Sequence, residues 1–113
     1  MIARLMGLDT ISPTDLHQLI QAKRVVVFDV TSPSAWAAGH VPSAVNLDSS
    51  AFTEAQLPAS KDENLVFYCS NSMCRKAPVA ARRARSMGFT NVKVMSAGIA
   101  GWRSSRLPLE QAG

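Results

Sequence analysis

Three short runs limit what this chain can become: "VVVFDV" at residues 25–30, "LVFY" at 65–68 and "VKVM" at 92–95. Each is β-branched or aromatic almost without polar interruption, the pattern of a strand covered on both faces rather than one with a wet side. The shorter "AVNL" at 44–47, together with Thr10 and Ile11, extends the set to a small, mostly parallel sheet. The intervening segments carry helix signals. Ser12 can cap a helix that has Pro13 in its first position and Asp15 in its first turn, with Leu16, Leu19 and Ile20 on one face. Ser32 and Pro33 repeat the device before a stop at Gly39. A third helix is predicted from Lys76 to Met87, lined by Val79, Ala80, Ala84 and Met87 and closed by Gly88. "AGIAGW" begins a fourth, shorter one. Strands alternating with helices imply right-handed crossovers, an α/β fold with helices on both faces of the sheet. The 113 residues suit one domain, expected to span 1–113 without repeats or linkers.

A hydrophobic fraction of 47% and a charged fraction of 18% are those of a folded globular chain. No run of about 18 apolar residues could span a bilayer, and "MIARLMGL" is too short for a secretory leader, so the expected setting is the cytoplasm with no membrane partner. There, two cysteines do not make a disulfide scaffold and read as reactive or incidental thiols, so reactivity has to be argued locally. The formal charge of +4 favours anionic partners. Its densest part, "RKAPVAARRAR" at 75–85, is spaced by alanines instead of aromatics or glycines, which reads as a solvated helix face and not as a nucleic-acid surface.

Those two cysteines lie together in "YCSNSMCRKAP" at 68–78. In open parallel sheets the ligand site forms at the carboxyl ends of the strands. Cys69 directly follows the buried run "LVFY" and faces the start of the predicted third helix. The positive end of that helix, inward-turned amides of Ser70, Asn71 and Ser72, and the Arg75 cation would all favour a thiolate and an oxyanion beside it. Such a thiolate is suited to attack a sulfur, phosphorus or arsenic centre bearing negative oxygens. The competing reading is an inert core cysteine. Cys74 has two possible placements, as a second thiol in the same pocket or packed beneath it; in the pocket it could form a disulfide with Cys69 or resolve an intermediate on it. His40, after Gly39, reads as a turn-fixing residue and His17 as solvated, while Trp36 and Trp102 read as core or rim aromatics. "GIAG" lacks a full nucleotide-binding fingerprint.

Beyond these local readings, the chain resembles the single-domain rhodaneses, the thiosulfate sulfurtransferase-like family. "SPTDL", "VVVFDVTSPSAWAAGHVPSAVNL", "VFYCSNSMCRKAPVAA" and "VMSAGIAGWRSSRLPL" resemble the family's opening helix, first signature, active loop and closing elements, in that order. The resemblance implies that Cys69 carries a persulfide and that the loop of Ser70, Asn71, Ser72, Met73, Cys74 and Arg75 surrounds it with amides. Three departures stand out. Thr31 occupies the place of an arginine usual after Asp-Val, and Ala35 that of an acidic residue, so a charged pair is absent and Asp29 must be satisfied in another way. The loop spacing is C-x5-R, one longer than in common sulfurtransferases and similar to that of rhodanese-like phosphatases and arsenate reductases.

A phosphomonoesterase must protonate its leaving alcohol, and residues 70–74 contain no acid. Sulfite leaves without one. The expected function is therefore sulfur transfer from thiosulfate or a persulfide donor, through Cys69, to a thiol or cyanide acceptor that could be a thiol-bearing protein, with no metal or organic cofactor. A non-catalytic or redox-sensing sulfur- or anion-binding module, and a phosphatase or arsenate reductase, are the alternatives.

Overall fold

The computed structural model describes residues 7–112; most of "MIARLMGL", and with it the expectation that no leader is present, lies outside them. Five parallel strands form one sheet in the order β1-β5-β4-β2-β3, namely β1 (Asp9–Thr10), β5 (Val92–Val94), β4 (Leu65–Tyr68), β2 (Val26–Asp29) and β3 (Val45–Asn46). The three apolar runs supply the three inner strands. Between them come α1 (Pro13–Gln21), α2 (Pro33–Ala38), a 3-10 turn (Glu54–Gln56), α3 (Lys76–Ser86) and α4 (Gly98–Ser104). Ser12 and Ser32 accept the amides of Asp15 and Ala35, as expected of the two Ser-Pro starts.

Alternation along β4 divides the core. Leu65, Phe67 and Cys69 join Phe28, Val30, Val94 and the alanines of α3 on one face, while Val66 and Tyr68 join Val27, Leu16 and Trp102 on the other. Because both rows are buried, the strand has no polar side, which is why its sequence reads as a continuous apolar run. The buried row of α3 is Ala77, Pro78, Ala80, Ala81 and Ala84. Val79, predicted to line that face, is instead exposed, since alanines let the helix lie close to the sheet and leave a neighbouring position outside. Two further expectations change. His17 is half-buried, edge-on to Trp102 with centroids 5.8 Å apart, and Arg83 is half-buried, donating to the Phe52 carbonyl at 2.8 and 3.2 Å.

His40 has the structural role expected of it. It stacks on Trp36, donates from Nδ1 to the Trp36 carbonyl at 2.6 Å, and pairs through its backbone with Glu110.

At the carboxyl ends of β2 and β4, neighbours Asp29 and Tyr68 also join through their side chains. Asp29 is 1% exposed. Its Oδ2 accepts the Tyr68 hydroxyl at 2.5 Å, and its Oδ1 accepts the Thr31 amide at 2.8 Å and the Thr31 hydroxyl at 2.5 Å. The only salt bridge among the described residues is Lys61–Glu54. Neutral donors, two of them from Thr31, therefore take the place of the missing charged pair. The Tyr68 oxygen in turn accepts the Val41 amide at 3.1 Å, so one phenol links three chain segments.

Burial, and then the hydrogen bond to Asp29, push the Tyr68 phenol above its ordinary value near 10. A folded-state value raised above the unfolded one contributes stability that is complete below about pH 10 and lost as pH rises beyond it. Tyr68 is the sole tyrosine. We expect tyrosinate absorbance to appear only together with loss of the folded circular dichroism signal in an alkaline titration; ionisation of the folded protein near pH 10 would contradict this. Tyr68→Phe, which strands a buried carboxylate oxygen and the Val41 amide, should cost about 1–3 kcal/mol by denaturant unfolding.

Candidate active site

Cys69 is the first residue beyond β4 and is 4% exposed. The loop that leaves it is held from two sides. The carbonyls of Cys69 and Ser70 accept the Ile99 and Ala100 amides of α4 at 2.9 and 3.0 Å. Within the loop, the Asn71 carbonyl accepts the Cys74 amide at 3.2 Å and its side-chain oxygen accepts the Met73 amide at 2.9 Å. That asparagine turn compacts residues 71–74 and brings Cys74 back towards Cys69.

The two cysteines are joined as a disulfide, with Cα atoms 6.2 Å apart. Both possible placements of Cys74 are realised in part: it is half-buried against the α3-side core, and its sulfur is bonded to Cys69. In the reduced protein these two sulfur atoms would be a pair of thiols. Ser70, Asn71, Ser72, Met73 and Arg75 are exposed, and the Ser70 hydroxyl lies 3.8 Å from the Cys69 sulfur.

Two cavities reach the sulfurs. A small one of about 10 Å³ lies among Cys69, Asn71, Ser72, Cys74, Pro78 and Ser96. A cleft of about 580 Å³ has Cys69, Ser70 and Cys74 on one side and Thr31, Ser32, Ala35 and Gly39 on the other, with Lys76 and Arg103 in its wall. Arg75, the cation expected beside Cys69, is not among the residues lining either cavity. It is the N-cap of α3 and gives that helix no side-chain cap.

Lys76 and Arg103 escaped the sequence reading for different reasons. Lys76 left a faint signal, because α3 opens on two basic residues with no acid in its first turn, against the helix dipole and at a cost of a few tenths of a kcal/mol. Such an arrangement concentrates positive potential where an anion can use it. Arg103 left none, since it arrives from α4, far along the chain. Its guanidinium lies so close to Gly39 that a Cβ there would come within 2.6 Å of its nitrogen. Gly98, part of the "GIAG" stretch that lacks a nucleotide-binding fingerprint, also belongs here. It has φ +67°, and a Cβ on it would lie 2.6 Å from the Asn71 nitrogen and 2.7 Å from the Ser70 carbonyl carbon.

The rhodanese-like domain model matches residues 12–105. The chain belongs to the rhodanese-like domain family. It is 33% identical over 101 residues to the human thiosulfate:glutathione sulfurtransferase, a match covering 77% of this chain and 86% of that one. It is 31% identical over 103 residues to the HTH-type transcriptional regulator Rv0324 of Mycobacterium tuberculosis, covering 91% of this chain but 45% of the regulator. The chain thus spans about half the length of two of the curated relatives it matches. Among solved structures, the BH2092 protein of Bacillus halodurans superposes with a TM-score of 0.83 at 26% identity, covering 91% of this chain and 77% of that one. The α/β fold and the family expected from the four sequence segments both hold.

Gly98 lends itself to a controlled test. Gly7 also has a positive φ, +73°, but nothing lies within 4 Å of its would-be Cβ. Gly7→Ala should carry only the left-handed backbone cost of about 1–2 kcal/mol. Gly98→Ala should exceed it by at least ~1 kcal/mol in denaturant unfolding, because loop backbone must also move. Equal losses would mean that the contact with the loop is soft.

Proposed function

We propose that the chain is a sulfurtransferase in which reduced Cys69 takes a sulfane sulfur from thiosulfate, or from a persulfide donor, and passes it to a thiol or cyanide acceptor. The observation that carries this reading is the position of the Cys69 sulfur: at the carboxyl end of a central parallel strand, in a loop pinned to α4, beside a cleft with two cations in its wall. Curated relatives named as thiosulfate sulfurtransferases support it. Lys76 and Arg103 would draw the dianionic donor in and favour the thiolate over the thiol. The thiolate attacks the outer sulfur of thiosulfate, the S–S bond breaks, and sulfite leaves with the electron pair. The amides of Ser70, Asn71, Ser72 and Arg75 and the Arg75 cation are the remaining candidates for holding the departing oxyanion. The chemistry calls on no metal or organic cofactor.

A second reading has one observation in its favour. The closed Cys69–Cys74 bond suits a redox-responsive anion-binding module that never turns over. The phosphatase and arsenate reductase readings draw on the C-x5-R spacing, and residues 70–74 offer no acid for a leaving alcohol.

Reduced protein given thiosulfate and cyanide should release sulfite and thiocyanate, and Cys69→Ser should release neither. Cys69-dependent hydrolysis of an aryl phosphate with negligible sulfite would make the phosphatase reading correct, and no turnover of either kind would favour the module. The cations can be ranked in the same assay. Lys76→Ala and Arg103→Ala should each lower kcat/KM for thiosulfate roughly tenfold, the size of one hydrogen bond to a charged group. Arg75→Ala should cost less; a larger loss for Arg75 would return it to the centre of the site.

A further inference from the structure

The loop that carries Cys69 also carries its second sulfur within bonding reach, and with the bond closed the contacts that anchor the loop are all made. With the disulfide formed, the Cys69 and Ser70 carbonyls keep their α4 amides, the asparagine turn is intact, and Cys74 still leads directly into α3. A cysteine so placed can attack whatever Cys69 carries. Resting on the sulfurtransferase reading above, we propose that Cys74 is a resolving thiol that reduces the Cys69 persulfide within the same chain. The sulfur is then released as hydrosulfide, and the chain can act as a thiosulfate reductase.

Atoms and electrons balance in this step. After sulfite has left, the Cys74 thiolate attacks the Cys69 Sγ and forms the Sγ–Sγ bond seen in the structure. The bond from Sγ to the outer sulfur breaks, and hydrosulfide leaves with its electron pair. The sulfane sulfur is reduced, and the two cysteine sulfurs are oxidised to the disulfide. The proton that Cys74 gives up is taken by the outer sulfur, which leaves as hydrosulfide. A further turnover needs an external reductant, either two monothiols or one dithiol, which opens the disulfide by thiol exchange. Both cysteines border the wide cleft. The leaving anion therefore has an open exit past Lys76 and Arg103, whose charges favour its departure. An acceptor in trans must find the outer sulfur by diffusion, whereas Cys74 is held beside the Cys69 Sγ, and such tethering favours the intramolecular path.

The test is a single turnover without oxygen, using reduced protein freed of small thiols and given thiosulfate. The wild type should release one equivalent each of sulfite and sulfide. Its intact mass should fall by two hydrogens, and peptide mapping should find Cys69 joined to Cys74. The sulfide rate should not depend on protein concentration, and no disulfide should form when thiosulfate is omitted. Cys74→Ser and Cys74→Ala should release sulfite, gain one sulfur in mass and hold it until a thiol is added. A wild type that releases sulfite yet keeps its persulfide beside a free Cys74 would overturn the resolving role and leave sulfur transfer standing. Release of sulfide at the wild-type rate by both Cys74 variants would overturn it as well. Absence of sulfite from every form would bring down the sulfurtransferase reading and this step together.

Discussion

The hydrogen bond between Asp29 and Tyr68 ties together the two strand ends on which the site is built. β2 and β4 are neighbours in register, and past this pair their chains separate, one into the Thr31 turn and α2, the other into the cysteine loop. A buried carboxylate is costly unless its oxygens are satisfied, and here the partners come from β4, from Thr31 and, more distantly at 3.5 Å, from Asn46 of β3. Satisfying one charge therefore fixes the mutual position of three strands at the cleft. Because Tyr68 points to one face of the sheet, the pleat turns Cys69 to the other, against α3. The face on which the Cys69 sulfur lies is thus the opposite of the one its neighbour takes to reach Asp29.

Attachment of the loop to α4 is the second constraint, and it depends on an absent side chain. α4 begins on the loop's own backbone, so its first amides serve the loop carbonyls instead of an ordinary cap. That contact requires Gly98 both for its left-handed backbone and for the space a Cβ would fill. In return the loop gains a rigid floor. Asn71, Ser72, Met73 and Arg75 remain exposed beyond it.

What could be read from the sequence was whatever periodicity or local chemistry expresses. The doubly buried strands, the two Ser-Pro helix starts, and a cysteine at the carboxyl end of a strand are each encoded within a few adjacent residues. Val79 was misplaced because an alanine-rich helix can turn more than one row to the sheet, and apolar spacing alone does not choose between them. His17 and Arg83 were misjudged because their partners, Trp102 and Phe52, are distant in sequence. Arg103 and Gly98 were invisible as site residues for the same reason. Thr31 was legible only as a departure; that its amide and hydroxyl stand in for an ionic partner could be known only once Asp29 was seen at the strand end.

The basic stretch at residues 75–85 shows how one compositional feature can serve two purposes. In the last turn of α3, Arg83 and Arg85 lie where the helix dipole favours cations. Arg83 lies over the Phe52 ring and donates to the Phe52 carbonyl, while Arg85 donates to the Gly7 carbonyl. These charges hold the segments that pass over the helix end. At the opposite end the same charge opposes the dipole with no acid in the first turn; Lys76 feels Asp48 instead, and it lines the cleft beside the two sulfurs. A cation that helps its helix needs no ligand to explain it. One that opposes its helix dipole in the wall of a cleft, with Asp48 as its acidic neighbour, stands where an incoming anion would meet it.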